Sequence, residues 1–303
     1  MNPVSDPRIR SPWGRIALAF GIFLFLANLV GMIYLLAVVP WDTGTPLDLT
    51  GLAKLLEEPR ILAGLLTAQA LAGVVTGVFM AMSVDRRPLV DLGVRDFRRE
   101  SGALYWGLLL GVVSAAVVTL FISAVARRHV QLELFGGFAG VDLVLFALVV
   151  VGAAFMEEWL FRGYIYVNLR EFYTPGRTVA LSAFAFAMVH ATNPGTSFLA
   201  WINIVLIGIV LGQLREITGG ILMPLGLHIG WNLGLGMLFG VRVSGLHLPS
   251  AFHISLEDLS APLGGGAFGP EASAVLTALF AGMAILLARR LTPPPAGALP
   301  PES

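Results

Sequence analysis

An all-α, polytopic membrane bundle of about eight transmembrane helices is the fold class the sequence predicts, and three observations carry the prediction. Hydrophobic residues make up 56% of the chain. Charged residues make up only 13%, about half the density of a soluble domain, and the mean hydropathy is +0.82. Apolar runs close to the roughly 20 residues that cross a bilayer as a helix recur from end to end.

Taken in order, these runs predict helices at 16–39, 61–84, 102–126, 141–169, 178–193, 198–214, 221–240 and 273–288. The first is too long for the apolar core of a signal peptide, and "LLAVVPWDTG" after it holds no good A-x-A cleavage site, so it reads as a retained anchor. The fifth, sixth and last runs are the shorter ones. Between the second and third, "VDRRPLVDLGVRDFRRES" (84–101) reads as a loop of amphipathic character. The stretch 241–272 contains "GGGAFGPEAS", whose glycines and proline suit a turn-rich loop rather than a strand or helix. The tail "TPPPAGALPPES" is proline-rich and is expected to be disordered. Three parts follow: helices 1–3 over residues 1–140, a polar-marked core over 141–240, and a last part over 241–303.

Composition excludes several classes of function. Net charge is zero, so neither nucleic acid nor an acidic partner is indicated. There is no cysteine, which removes disulfides, thiolate nucleophiles and cysteine-type zinc sites. The basic residues orient the bundle. With the N-terminus inside, 13 of them fall in inner segments: Arg8, Arg10, Arg15, the five arginines between 86 and 99, Arg170, Arg177, Arg215, Arg289 and Arg290. Five (Lys54, Arg60, Arg127, Arg128 and Arg242) fall in outer ones. Both termini are therefore expected in the cytoplasm.

"FMEEWLFRG" (155–163) breaks the apolar pattern. Each charge near the centre of a spanning helix costs roughly 2.5–3.5 kcal/mol, so Glu157, Glu158 and Arg162 together cost roughly 8–10 kcal/mol before pairing. Glu158 and Arg162 are four apart and share a helix face, so they are expected to pair, leaving adjacent Glu157 about 100° round the helix. Two more polar positions interrupt other runs, His190 at the end of "FAFAMVH" and His228 in "LMPLGLHIGWN". His228 and Asn232 are four apart, as are Phe186 and His190, with Phe186 a packing support. Counted from the inner helix ends, Glu157, His190, His228 and Asn232 lie roughly 10–18 Å deep. Four polar residues from three helices thus share one slab. His129, His247 and His253 fall in outer loops and read as surface residues.

"EEWLFR" (157–162), "FAMVH" (186–190) and "HIGWN" (228–232) resemble the E-E-x-x-x-R, F-x-x-x-H and H-x-x-x-N motifs of the CPBP family, the CAAX prenyl protease type II and bacteriocin-processing membrane proteases, also called Abi. Arg162 precedes Phe186 by 24 residues and His190 precedes His228 by 38. The resemblance covers roughly 141–240. It implies a helical membrane bundle with a catalytic cavity open to the cytoplasm, in a bacterial or archaeal plasma membrane. It further implies intramembrane peptide hydrolysis without a cofactor, with Glu157 as the base that activates water. His190 would help hold that water, while His228 and Asn232 would stabilise the oxyanion. Glu158 and Arg162 complete the site. The implied partners are a membrane-associated protein or peptide substrate and the lipid bilayer. Which substrate is cut stays open among peptide maturation, bacteriocin immunity and membrane-protein cleavage.

Two rivals remain. A zinc protease would use His190, His228 and a glutamate as ligands, a chemically sound set, although H-E-x-x-H is absent and Asn232 suits an oxyanion donor better. A transporter or membrane scaffold would tolerate the same intramembrane charges. Transporters, however, often repeat their broken helices in two halves, and the polar set here is confined to 157–232.

Overall fold

The computed structural model describes residues 7–39, 58–94, 97–128, 140–256 and 258–291. Most of the first outer loop, His129 and the proline-rich tail lie outside the described residues. Among the described residues eight helices of 11 residues or more are seen. Helix α1 spans Pro12–Val38, capped by Ser11, whose hydroxyl accepts from the amide of Gly14, and started by Pro12. Helix α2 spans Pro59–Phe79 and widens into a π turn over Met80–Val84. Helix α3 spans Phe97–Val125.

Helix α4 runs as Gly140–Glu158, widens to a π segment over Trp159–Ile165 and closes as Tyr166–Arg170. Helix α5 spans Pro175–His190, and α6 spans Phe198–Thr218 between a Ser197 N-cap and left-handed Gly219. Helix α7 runs Leu222–Asn232 with a π segment over Leu233–Leu238, and α8 spans Ala274–Leu291. Among the described residues six helices are long and apolar enough to cross a membrane: α1, α2, α3, α4, α6 and α8. Helix α5 has 16 residues, and the regular part of α7 has 11. These two shorter helices bear the histidines.

Sequence dictates how closely the helices approach. On α3, Gly107 and Gly111 meet Gly226 and Gly230 of α7. A Cβ at Gly111 would stand 2.2 Å from the carbonyl oxygen of Leu227, and one at Gly230 would stand 2.2 Å from that of Leu108. Small residues four apart are what let spanning helices touch backbone to backbone. Helix α2 instead admits side chains of α4, since Gly73 and Gly77 receive Met156 and Trp159. Met156 and Trp159 therefore commit one face of α4 to α2, and Glu157 between them turns elsewhere.

Two polar clusters lock the ends. At one end Arg15, fully buried, meets Asp85 at 3.8 Å and Glu171 at 2.6 Å. Arg87 pairs with the same Glu171, while Tyr164 and Asn168 donate to Asp85. Sequence reading counts Arg15 and Arg87 simply as inner-loop charges; the fold uses them to clasp α1 and α2 onto α4. At the other end the 241–272 stretch is turn-rich, as composition predicts, with short helical turns at Ala261–Gly264, Gly266–Phe268 and Pro270–Ala272 and a bridge between Val243 and Leu246. It is packed rather than solvated, since Ile254, Phe268 and Glu271 are all buried. Glu271 accepts from the indole of Trp231 at 2.9 Å and from the Ser244 hydroxyl at 3.0 Å, which ties the stretch to α7.

Candidate active site

The site forms where α4 changes from α to π geometry. Glu157 and Glu158 are the last two α-helical residues before the wide segment, and Arg162 lies inside it. Single π segments inside α-helices occur often at functional sites, because the extra residue re-aims its neighbours. Helix α5 contributes His190, its final residue, three positions short of the end that the apolar run predicts. "NPG" (193–195) explains the earlier stop: Gly195 adopts φ +73°, and Asn193 N–H and the Thr196 hydroxyl both donate to the freed carbonyl of His190. Helix α7 contributes His228 and, one turn on, Asn232.

The buried glutamate is engaged through one oxygen, Oε1, while its Oε2 has no partner among the described residues. Arg162 Nη1 donates to Glu158 Oε1 at 2.9 Å, both side chains having no exposure, and His228 Nδ1 donates to the same oxygen at 2.9 Å. Arg162 is steadied by the carbonyl of Gly208 at 3.3 Å and by the Phe186 ring, 4.3 Å from its Cζ. The second glutamate is not engaged. Glu157 Oε2 lies 3.6 Å from His228 Nε2 and 3.8 Å from His190 Nε2, and it is buried with no hydrogen-bond partner among the described residues. The side chain as a whole keeps 22% exposure.

Partners assign the imidazole tautomers. His190 Nδ1 lies 2.8 Å from the carbonyl oxygen of Phe186, which can only accept, so Nδ1 carries hydrogen. His228 Nδ1 faces the Arg162-paired carboxylate of Glu158 and does the same. When neutral, both rings therefore turn an acceptor Nε2 toward Glu157. Gaps of 3.6 and 3.8 Å are too long for direct hydrogen bonds.

The fold brings together Glu157, Glu158, Arg162, His190 and His228. Asn232 is half-buried one turn beyond His228, with no hydrogen bond to its side chain among the described residues. His247 is exposed and His253 half-buried, both away from this cluster. Sequence reasoning missed three supports: the Gly208 carbonyl, Ser182, whose hydroxyl donates to Phe161 O at 2.9 Å, and Arg215, whose Nε donates to Arg162 O at 3.0 Å. Arg215 carried no signal beyond a positive charge near a helix end, where solvation is the ordinary expectation. Among the described residues no group of three or more His, Asp or Glu side chains has the arrangement of a metal site.

Comparison with known proteins adds one finding. Residues 139–234 match the model of the family described as type II CAAX prenyl endopeptidase, Rce1-like, and the similarity is to that stretch alone. With six long apolar helices, the chain is a multi-pass membrane protein. Neither the search of curated proteins nor that of solved structures found a match.

Proposed function

We propose that the chain is an intramembrane endopeptidase in which Glu157 activates water for attack on a peptide bond of a membrane-associated protein or peptide. One observation carries this reading: the Glu157 carboxylate has a buried, unpartnered oxygen facing the Nε2 atoms of two imidazoles at 3.6 and 3.8 Å. Peptide hydrolysis without a nucleophilic side chain needs a free base and donors for the developing oxyanion. Glu158 suits that role less well: its carboxylate is ion-paired with Arg162 and bound by His228 through one oxygen, and its side chain has no exposure through which water and substrate could reach the other.

In the mechanism, water donates one hydrogen to Glu157 and the other to the acceptor Nε2 of His190. Its oxygen bonds to the scissile carbonyl carbon as Glu157 takes the proton. The carboxamide of Asn232, free of protein partners among the described residues, donates to the oxyanion. His228 joins it only as an imidazolium, because Nδ1–H is committed to Glu158 and the neutral ring has no hydrogen on Nε2. Collapse of the intermediate breaks the C–N bond, and Glu157 returns its proton to the leaving amine.

The reaction is proposed to run without a metal, with the site open to the cytoplasm. Purified protein is expected to keep hydrolysing a fluorogenic peptide after exhaustive chelation. Loss of activity on chelation, restored by zinc, would overturn this and make the imidazoles ligands. Substrates should emerge as membrane proteins that accumulate uncut in cells carrying Glu157→Ala. An unchanged membrane proteome would argue against a proteolytic role.

A further inference from the structure

Arg215 sits on α6, away from the reacting groups, yet it is buried and its charge is directed at the site's scaffold. In a regular α-helix the amide of Tyr166 would take the carbonyl of Arg162, four residues back. Here that amide bonds instead to Phe161 O and Gly163 O, so the wide segment releases the Arg162 carbonyl from the helix ladder. Arg215 Nε takes it up at 3.0 Å. A released carbonyl inside a bundle is costly to leave unpaired, so α6 supplies what the π geometry requires.

Two further features fit the guanidinium to this place. Gly93, at φ +97°, lies against it: a Cβ there would come within 2.9 Å of Nη2, so the loop before α3 makes room. The amide of Ile221 donates to Gly93 O at 3.0 Å, which fastens that loop beside the end of α6. On the other side the guanidinium carbon lies 5.6 Å from the Tyr166 ring centroid.

We infer that Arg215 is a positioning residue, holding the Trp159–Ile165 segment wide so that Arg162, Glu158 and His228 keep their order around Glu157. The link is a chain of contacts: Arg215 to the Arg162 carbonyl, the Arg162 side chain to Glu158, Glu158 to His228 Nδ1, and His228 Nε2 toward Glu157. Arg215 touches no reacting atom in this scheme. The inference rests on the endopeptidase reading for its kinetic consequence but not for its structural one.

The test therefore has two readouts. Hydrogen–deuterium exchange of the full-length protein in detergent should be faster by about tenfold or more in peptides covering 155–170 for Arg215→Gln, with α2 peptides unchanged. Peptide hydrolysis should fall about tenfold or more in kcat with KM within about twofold, and Arg215→Lys should restore part of it. Glu216→Gln is the control, because Glu216 binds Arg170 and Tyr166 at the same helix end without touching the Arg162 carbonyl. It should lower Tm while leaving kcat near wild type. Unchanged exchange over 155–170 in Arg215→Gln would overturn the inference, as would a Glu216→Gln variant that loses as much kcat as Arg215→Gln at the same drop in Tm. Retained hydrolysis in Glu157→Gln would instead overturn the endopeptidase reading, leaving the exchange result to judge Arg215 alone.

Discussion

Two adjacent glutamates occupy opposite electrostatic situations, and their substitutions should fail differently. Glu157→Gln keeps a similar shape at a partly exposed side chain with no ion pair as close as Glu158's, so Tm should stay near wild type while hydrolysis is lost, since an amide cannot accept the proton of water. Glu158→Gln strands the buried Arg162 charge and weakens the acceptor of His228 Nδ1. Breaking a buried pair from one side typically costs about 3–5 kcal/mol, so this variant should express poorly and lose activity together with stability. Arg162→Gln should resemble it, and the double variant should regain part of the stability without full activity. Melting temperature and cleavage of a fluorogenic peptide, measured side by side, check all four; a stable, inactive Glu158→Gln beside an active Glu157→Gln would move the base to Glu158. The spacing of these residues already indicated which glutamate meets the arginine, because i and i+4 share a face. That His228 would meet Glu158 as well depends on where α7 lies, which no spacing within α4 encodes.

At the scale of helices, each predicted apolar run coincides with a helix among the described residues, six of them long and apolar enough to cross a membrane, with ends displaced by a few residues where caps rather than hydropathy decide. The π segments of α2, α4 and α7 were not legible, since a run of apolar residues reads the same in either helix. Their stability comes from partners on other elements, Ser182 and Arg215 in the case of α4. The α3–α7 contact makes a test of packing. Gly230→Ala puts a methyl 2.2 Å from a backbone carbonyl that cannot yield without shifting α3, so stability should fall by about 1–3 kcal/mol or more and activity should fall as His228 is displaced. Gly282→Ala in α8 meets nothing within 4 Å and should be neutral or stabilising by about 0.5–1 kcal/mol. Equal Tm losses in the two variants would show that the close approach of α3 and α7 does not matter.

For the whole molecule, the basic residues predict orientation: reporter fusions at residues 45, 92 and 255 should read outside, inside and outside. An outside signal at 92 would reverse the bundle and open the site to the other face. The sequence by itself determined that the chain is an all-helical membrane protein and which residues interrupt its apolar runs, because hydrophobic burial and the cost of intramembrane charge act locally and leave a mark at each position. It also carried the spacing that pairs Glu158 with Arg162. Only the tertiary structure decided that His190 and His228 turn the same nitrogen toward Glu157, that Arg15 and Arg87 are buried clasps rather than solvated loop charges, and that Arg215 completes a helix it does not belong to. Those facts depend on contacts between residues tens of positions apart, set by how closely glycine faces let the helices approach. A charge in the sequence does not state which distant carbonyl or carboxylate it will meet.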